Sequence, residues 1–195
     1  MIDTIVERQH FEPFKHIAEG VSDTKMLKPF ILEAQQMDIM PRLGNSFWYD
    51  IIQNKNSDKY KKLLEGGTYI VEDKTLYFMG LYAAIVYFTY SRYIIGRQAT
   101  DTPTGMVQKL SGAESKPADP SILMRNSASA KAVGQQYLNE AIEFIEKNEQ
   151  TYPLYFDGVT SLKKSKRTGS IRITPISRRQ EPSRCSECGR KNCNC

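Results

Sequence analysis

The spacing of apolar positions changes several times along the chain, and each change marks an element. Phe11, Phe14, Ile17 and Val21 recur at intervals of three and four, while Pro13 interrupts any longer helix. Residues 1–21 therefore read as an N-terminal arm, amphipathic or irregular, that packs on a neighbour. Ser22-Asp23-Thr24 is an N-cap cluster, after which Met26, Leu27, Phe30, Ile31, Ala34 and Gln35 keep a helical period to about Met40. Pro29 limits how early the hydrogen-bond ladder begins. Pro41 suits the first turn of a second helix over 42–52, with Leu43, Phe47, Trp48 and Ile51 on one face. A third helix is predicted over 58–64, stopped by Glu65-Gly66-Gly67.

Beyond that stop, Thr68-Tyr69-Ile70-Val71 and Thr75-Leu76-Tyr77-Phe78 flank Glu72-Asp73-Lys74, a pattern of either a small hairpin or two extended strips. Residues 80–97 are apolar on nearly every side. Leu81, Ala84, Ile85, Phe88, Arg92 and Ile95 line one face, and Tyr82, Val86, Tyr90 and Tyr93 line another, which predicts a central, buried helix. A polar stretch, 98–118, reads as a long loop. Asp119-Pro120 then places an N-cap before a proline at the first helical position, and no further proline occurs until Pro153. One long helix to about Gln150 follows, with a weak point near 126–129 and an apolar stripe of Val133, Tyr137, Leu138, Ala141, Ile142 and Ile145. The expected fold is mainly α: a helical bundle with a long C-terminal helix, a small extended or hairpin segment, and an extended basic C-terminal tail.

With 195 residues, 40% of them apolar, the chain can form one domain that buries roughly 70% of its unfolded surface. The longest apolar stretch, residues 79–95, carries Thr89, Ser91, Arg92 and several tyrosines, so no membrane span is expected. The first seven residues show neither a basic run nor an apolar leader core, which places assembly in the cytoplasm. Charge divides the chain sharply. Residues 159–195 hold ten Lys and Arg against Glu181 and Glu187, whereas the rest is slightly acidic, so the net +5 comes wholly from the tail. This sets the expected organisation as an arm (1–21), a helical body (22–157) and a basic, cysteine-containing tail (158–195).

The body offers little to an enzyme. His10 and His16 have no nucleophile motif beside them, and there is no Walker loop, GxGxxG, GxSxG or HExxH. Glu140, Glu143, Glu146 and Glu149 read as a solvated helix face, and the tyrosines of 77–93 as packing rather than a base-stacking platform. No catalytic residue is assigned. The tail is richer. Lys163, Lys164, Lys166 and Arg167 form a basic run, followed by Arg172, Arg178, Arg179 and Arg184, all suited to DNA phosphates or to an acidic protein surface. Ile171, Ile173 and Ile176 alternate with polar residues like an edge strand, a pattern that can add to another chain's sheet. Cys185, Cys188, Cys193 and Cys195 supply four soft ligands in C-x2-C-x4-C-x-C spacing, which suits zinc, with free thiols or oxidised pairs as the alternatives.

The body also resembles a known family. The residues that carry the likeness are Leu27, Phe30-Ile31, Ala34-Gln35, Asp38-Ile39, Pro41, Leu43-Gly44 and Phe47, then Gly80-Leu81, Ala84, Tyr87-Phe88, Tyr90 and Arg92-Tyr93, then Asn148 and Tyr152-Pro153-Leu154-Tyr155. In this order they resemble head-tail connector proteins of tailed bacteriophages, closest to those of the crAss-like phages of Bacteroides-type hosts. The resemblance implies a non-enzymatic virion protein of the neck. About twelve copies would form a ring under the portal protein, contact further neck and tail proteins, and surround the genomic DNA. The tail lies outside the likeness. A reading of another class is a zinc-knuckle regulator that binds nucleic acid through that tail, with the body as scaffold.

Overall fold

The computed structural model describes residues 4–21, 26–97, 99–102, 105–108 and 119–157. It is mainly helical, as expected. The helices are α1 (Lys28–Ala34), α2 (Met40–Leu43), α3 (Asn45–Gln53), α4 (Asp58–Glu65), α5 (Gly80–Gly96) and α6 (Pro120–Lys147), with a last helical turn at 153–157. Two antiparallel hairpins interrupt them: β1 (Gly67–Val71) with β2 (Lys74–Phe78), and β3 (Ala99–Thr102) with β4 (Gly105–Gln108). The second hairpin replaces part of the loop expected over 98–118. Its first strand, Ala99-Thr100-Asp101-Thr102, pairs with Gly105-Met106-Val107-Gln108, and the β-branched Thr and Val favour extended backbone.

Helix α5 is the axis of the body, with Leu81, Ala83, Ala84, Ile85, Val86 and Phe88 essentially inaccessible. Helix α6 runs antiparallel along it. Ser127 Oγ donates to the Ser91 carbonyl at 2.8 Å, Gly134 abuts Phe88, and Phe144 stacks on Phe78 just ahead of α5. The helix continues through 126–129, where a weak point was expected, and starts as predicted. Asp119 caps it by accepting from the Ser121 N–H at 2.7 Å, with Pro120 at its first position. Its buried stripe differs from the expectation. Ala130, Gly134, Leu138, Ala141, Phe144 and Ile145 face inward, while Val133, Tyr137 and Ile142 sit at the margin. The reason is Phe88, whose ring and backbone N would lie 3.3 Å from a Cβ at position 134, so Gly134 lets α6 pack closely there.

The expected helix from 26 to 40 is three pieces. Helix α1 passes into a π-helical turn, Gln35–Ile39, and then into α2, which ends at Gly44 with φ +87°; the expected 42–52 helix therefore begins only at Asn45. Two long-range bonds accompany the widened turn. Gln35, fully buried, accepts the Ile5 N–H at 2.9 Å, and Asp38 receives Arg92 Nη2 at 2.8 Å and Nε at 3.0 Å. The N-terminal arm also departs from expectation, since it packs on its own body. Ile5, Val6, Phe11, Ile17 and Val21 are buried in the common core, and Arg8 closes the loop by donating to the carbonyls of Ile17, Ala18 and Val21.

Candidate functional site

The first hairpin stands on a neck of two glycines. A Cβ on Gly66 would lie 2.6 Å from Met79 C and Phe78 O, and one on Gly80 would lie 2.4 Å from Gly66 N. Both have positive φ, +86° and +79°, so the end of α4 and the start of α5 meet backbone to backbone. The register pairs Tyr69 with Leu76 and Thr68 with Tyr77. Tyr69, Leu76 and Phe78 thus share the inner face, where Phe78 stacks on Phe144 at 4.3 Å and Tyr69 meets it edge-on at 5.1 Å. Thr68, Ile70, Thr75 and Tyr77 share the outer face. Among the described residues nothing covers its apolar pair, since Ile70 is 73% and Tyr77 63% exposed.

The hairpin tip is a two-residue turn of Glu72 and Asp73, with φ +48° and +64°. Two positive φ values form the pattern that Asn-Gly adopts with least strain, whereas a glutamate there crowds its own carbonyl. Replacing the pair (Glu72→Asn, Asp73→Gly) is expected to stabilise the protein by about 1 kcal/mol. Urea unfolding followed through the single tryptophan, the buried Trp48, reads this directly; a lowered midpoint would contradict it.

A second apolar surface, left open by the described residues, lies on the first half of α6, where Met124 is 61% exposed and Ala128 and Ala132 are exposed on the same side. Arg125 and Lys131 are exposed beside them. This stretch flanks the C-terminal part of α5, through the Ser127–Ser91 bond, whereas the hairpin enters α5 at Gly80. The 17 residues of α5 separate the two levels by about 25 Å at 1.5 Å per residue. Two unlike apolar surfaces are therefore held at opposite ends of one rigid helix pair.

Elsewhere, polar and aromatic groups hold the body together. Tyr60 donates its hydroxyl to Asp50, which also accepts from Asn54 Nδ2 at 2.7 Å and faces Lys59 Nζ at 3.6 Å. The Tyr60 hydrogen bond, helped by Lys59 and Asn54, holds the Asp50 carboxyl below its ordinary value against the opposing effect of burial. Tyr152 donates to the Lys59 carbonyl at 2.9 Å, and Phe47 meets Tyr60, Tyr152 and Tyr155 edge-on. Near the arm, Lys15 Nζ lies 5.0 Å from the rings of both Tyr87 and Tyr90, in an open cleft of about 340 Å³ that Asn126 and Ser129 also line. His10 packs on Tyr82 with centroids 4.2 Å apart and the rings tilted by 54°, and accepts the Glu7 N–H on Nδ1, so it packs and caps the short turn Arg8–His10.

Burial raises the Tyr152 hydroxyl to about 12, and burial is also the main cause of the upward shifts at Tyr60, Tyr69, Tyr82, Tyr87 and Tyr155. Each folded value exceeds the ordinary 10.0, so above pH 10 the folded state retains protons that the unfolded chain releases. This stabilisation is complete below pH 10 and is lost as pH rises through the folded values. Tyrosinate absorbance is expected to climb cooperatively with loss of the Trp48 signal. A smooth titration near 10 with the fold intact would contradict it.

The tail residues singled out in the sequence all lie outside the described residues. These are Lys163, Lys164, Lys166, Arg167, Arg172, Arg178, Arg179 and Arg184, the strand candidates Ile171, Ile173 and Ile176, and the cysteines Cys185, Cys188, Cys193 and Cys195. Among the described residues there is no group of His, Cys, Asp or Glu that could hold a metal, and no helix long and apolar enough to cross a membrane. The two apolar surfaces were missed in the sequence. The available signal was that β1 and β2 are apolar on both faces, and that Met124 falls off the stripe of α6.

A family of unknown function (DUF6712) matches residues 39–163. The chain belongs to this family. The DUF6712 region takes in the glycine neck, the β1–β2 hairpin and all of α6, so both uncovered surfaces lie inside it, while the arm, α1 and the four cysteines lie outside. No curated protein and no solved structure matches the chain.

Proposed function

We propose that this chain is a structural subunit of the neck of a tailed bacteriophage, assembling in the host cytoplasm into a ring of about twelve copies that joins the portal protein to the tail. The observation that carries the reading is the pair of unlike apolar surfaces at opposite ends of the α5–α6 pair. A closed ring needs a heterologous contact, in which each subunit offers one face to the neighbour on its left and a different face to the neighbour on its right. Exposed apolar groups rimmed by charge are what such contacts use. The resemblance of the body to head-tail connectors points the same way. In this reading the protein is not an enzyme, and the basic tail faces genomic DNA in the channel or an acidic surface of the portal or of another neck protein.

Quantitative mass spectrometry of purified particles tests it. One copy of this chain per portal subunit is the expected result. Absence from the particle despite expression would overturn the connector reading and favour the zinc-binding, nucleic-acid-binding regulator.

A further inference from the structure

The two uncovered apolar surfaces carry opposite charge. Beside Ile70 and Tyr77, the hairpin tip presents the exposed carboxylates of Glu72 and Asp73. The neighbouring Lys74 pairs with Val71, in the register of the inner face, and so lies away from this surface. Beside Met124, α6 presents Arg125 and Lys131, and no acidic residue occurs from Pro120 to Asn139. Met124, Ala128 and Lys131 follow one another at helical spacing, and Ala128, Ser129 and Ala132 are exposed and small, which leaves room for a strand pair to approach the helix closely.

We infer that the β1–β2 hairpin of one copy docks on the first half of α6 of the next copy, with Ile70 and Tyr77 against Met124 and Ala128 and the Glu72–Asp73 tip against Arg125 and Lys131. This deepens the ring reading and rests on it. Self-pairing of either surface would set carboxylates against carboxylates or cations against cations, so the symmetric alternatives are repelled while the unlike pairing is attracted. Because the two surfaces sit at different ends of the body, every docked copy leaves one hairpin and one α6 surface open. The contact therefore repeats from copy to copy until it closes on itself.

The acidic turn makes a clean test possible, because Glu72→Asn with Asp73→Gly removes both charges while relieving backbone strain. In the full chain this pair is expected to weaken self-association about tenfold, measured by sedimentation, even as the urea midpoint rises. Arg125→Glu with Lys131→Glu is expected to weaken it similarly, and combining that pair with Glu72→Lys and Asp73→Lys is expected to restore it. Unchanged association in the first variant would overturn the charge pairing.

Crosslinking tests the contact itself. Full chains in which Cys185, Cys188, Cys193 and Cys195 are replaced by serine would carry either Ile70→Cys or Met124→Cys and be mixed under mild oxidation. The mixed disulfide dimer should form well above the share set by random collision, and well above either self-dimer. A predominance of self-dimers, or no enriched crosslink at any concentration, overturns the docking. Native mass spectrometry of the unaltered chain separates the two failures. Oligomers without the mixed crosslink remove this contact and leave the ring reading standing. Monomers alone, together with absence from the particle, remove both.

Discussion

Replacing Gly80 with alanine is expected to destabilise the protein by at least about 3 kcal/mol, from two independent sources. The first is the backbone, since φ at Gly80 is +79°, where an L side chain crowds the following carbonyl at about 1–2 kcal/mol. The second is space. The new methyl would lie 2.4 Å from Gly66 N, 2.5 Å from Leu64 O and 2.7 Å from Glu65 C, all backbone atoms that cannot rotate away as a side chain would. Relief requires α4 and α5 to separate, which unseats the hairpin between them. Urea unfolding read at Trp48 gives the number, with Gly20→Ala as the control, because nothing lies within 4 Å of a Cβ there. A loss under about 1 kcal/mol would mean that the neck is not the rigid seat described. If the hairpin is the docking element proposed above, milder changes at this neck should also weaken self-association.

Phe144→Ala is expected to cost about 3–5 kcal/mol, the range for truncating a buried aromatic. Phe144 is 3% exposed and touches three rings: Phe78 stacked at 4.3 Å, Tyr69 edge-on at 5.1 Å and Tyr152 at 6.0 Å. It is the point where the inner face of the hairpin rests on α6. The cavity would open between them, because the strands cannot collapse onto α6 while the glycine neck holds their base. Hydrogen exchange should therefore show the amides of 67–78 losing more protection than those of α5. Phe144→Leu, which fills much of the space, should recover most of the stability. A loss spread evenly over the helices would show that the hairpin is not a separately seated unit.

What could be read from the sequence is what depends on neighbours a few residues away. Asp119 and Pro120 set the start of α6 by local capping chemistry, and Glu65-Gly66-Gly67 stopped α4 within one residue of the expected end. Likewise, the all-round apolar character of 80–97 marked the buried axis, and together these gave the mainly helical fold. The tail's candidate residues remain readings of the sequence alone. Only the tertiary structure decided where burial falls, because burial needs a partner far along the chain. Gln35 meets Ile5 and Asp38 meets Arg92, 30 and 54 positions apart, in a stretch expected to be one regular helix. The stripe of α6 shifted onto Gly134 and Phe144 because Phe88 and Phe78 come to lie against them, and the arm found its place on its own core rather than on another chain. The two candidate surfaces were hidden for the same reason. Alternation along β1 and β2 shows that both faces are apolar, but it is the packing of Phe144 on Tyr69 and Phe78 that decides which is covered, and so leaves Ile70 and Tyr77 facing outward.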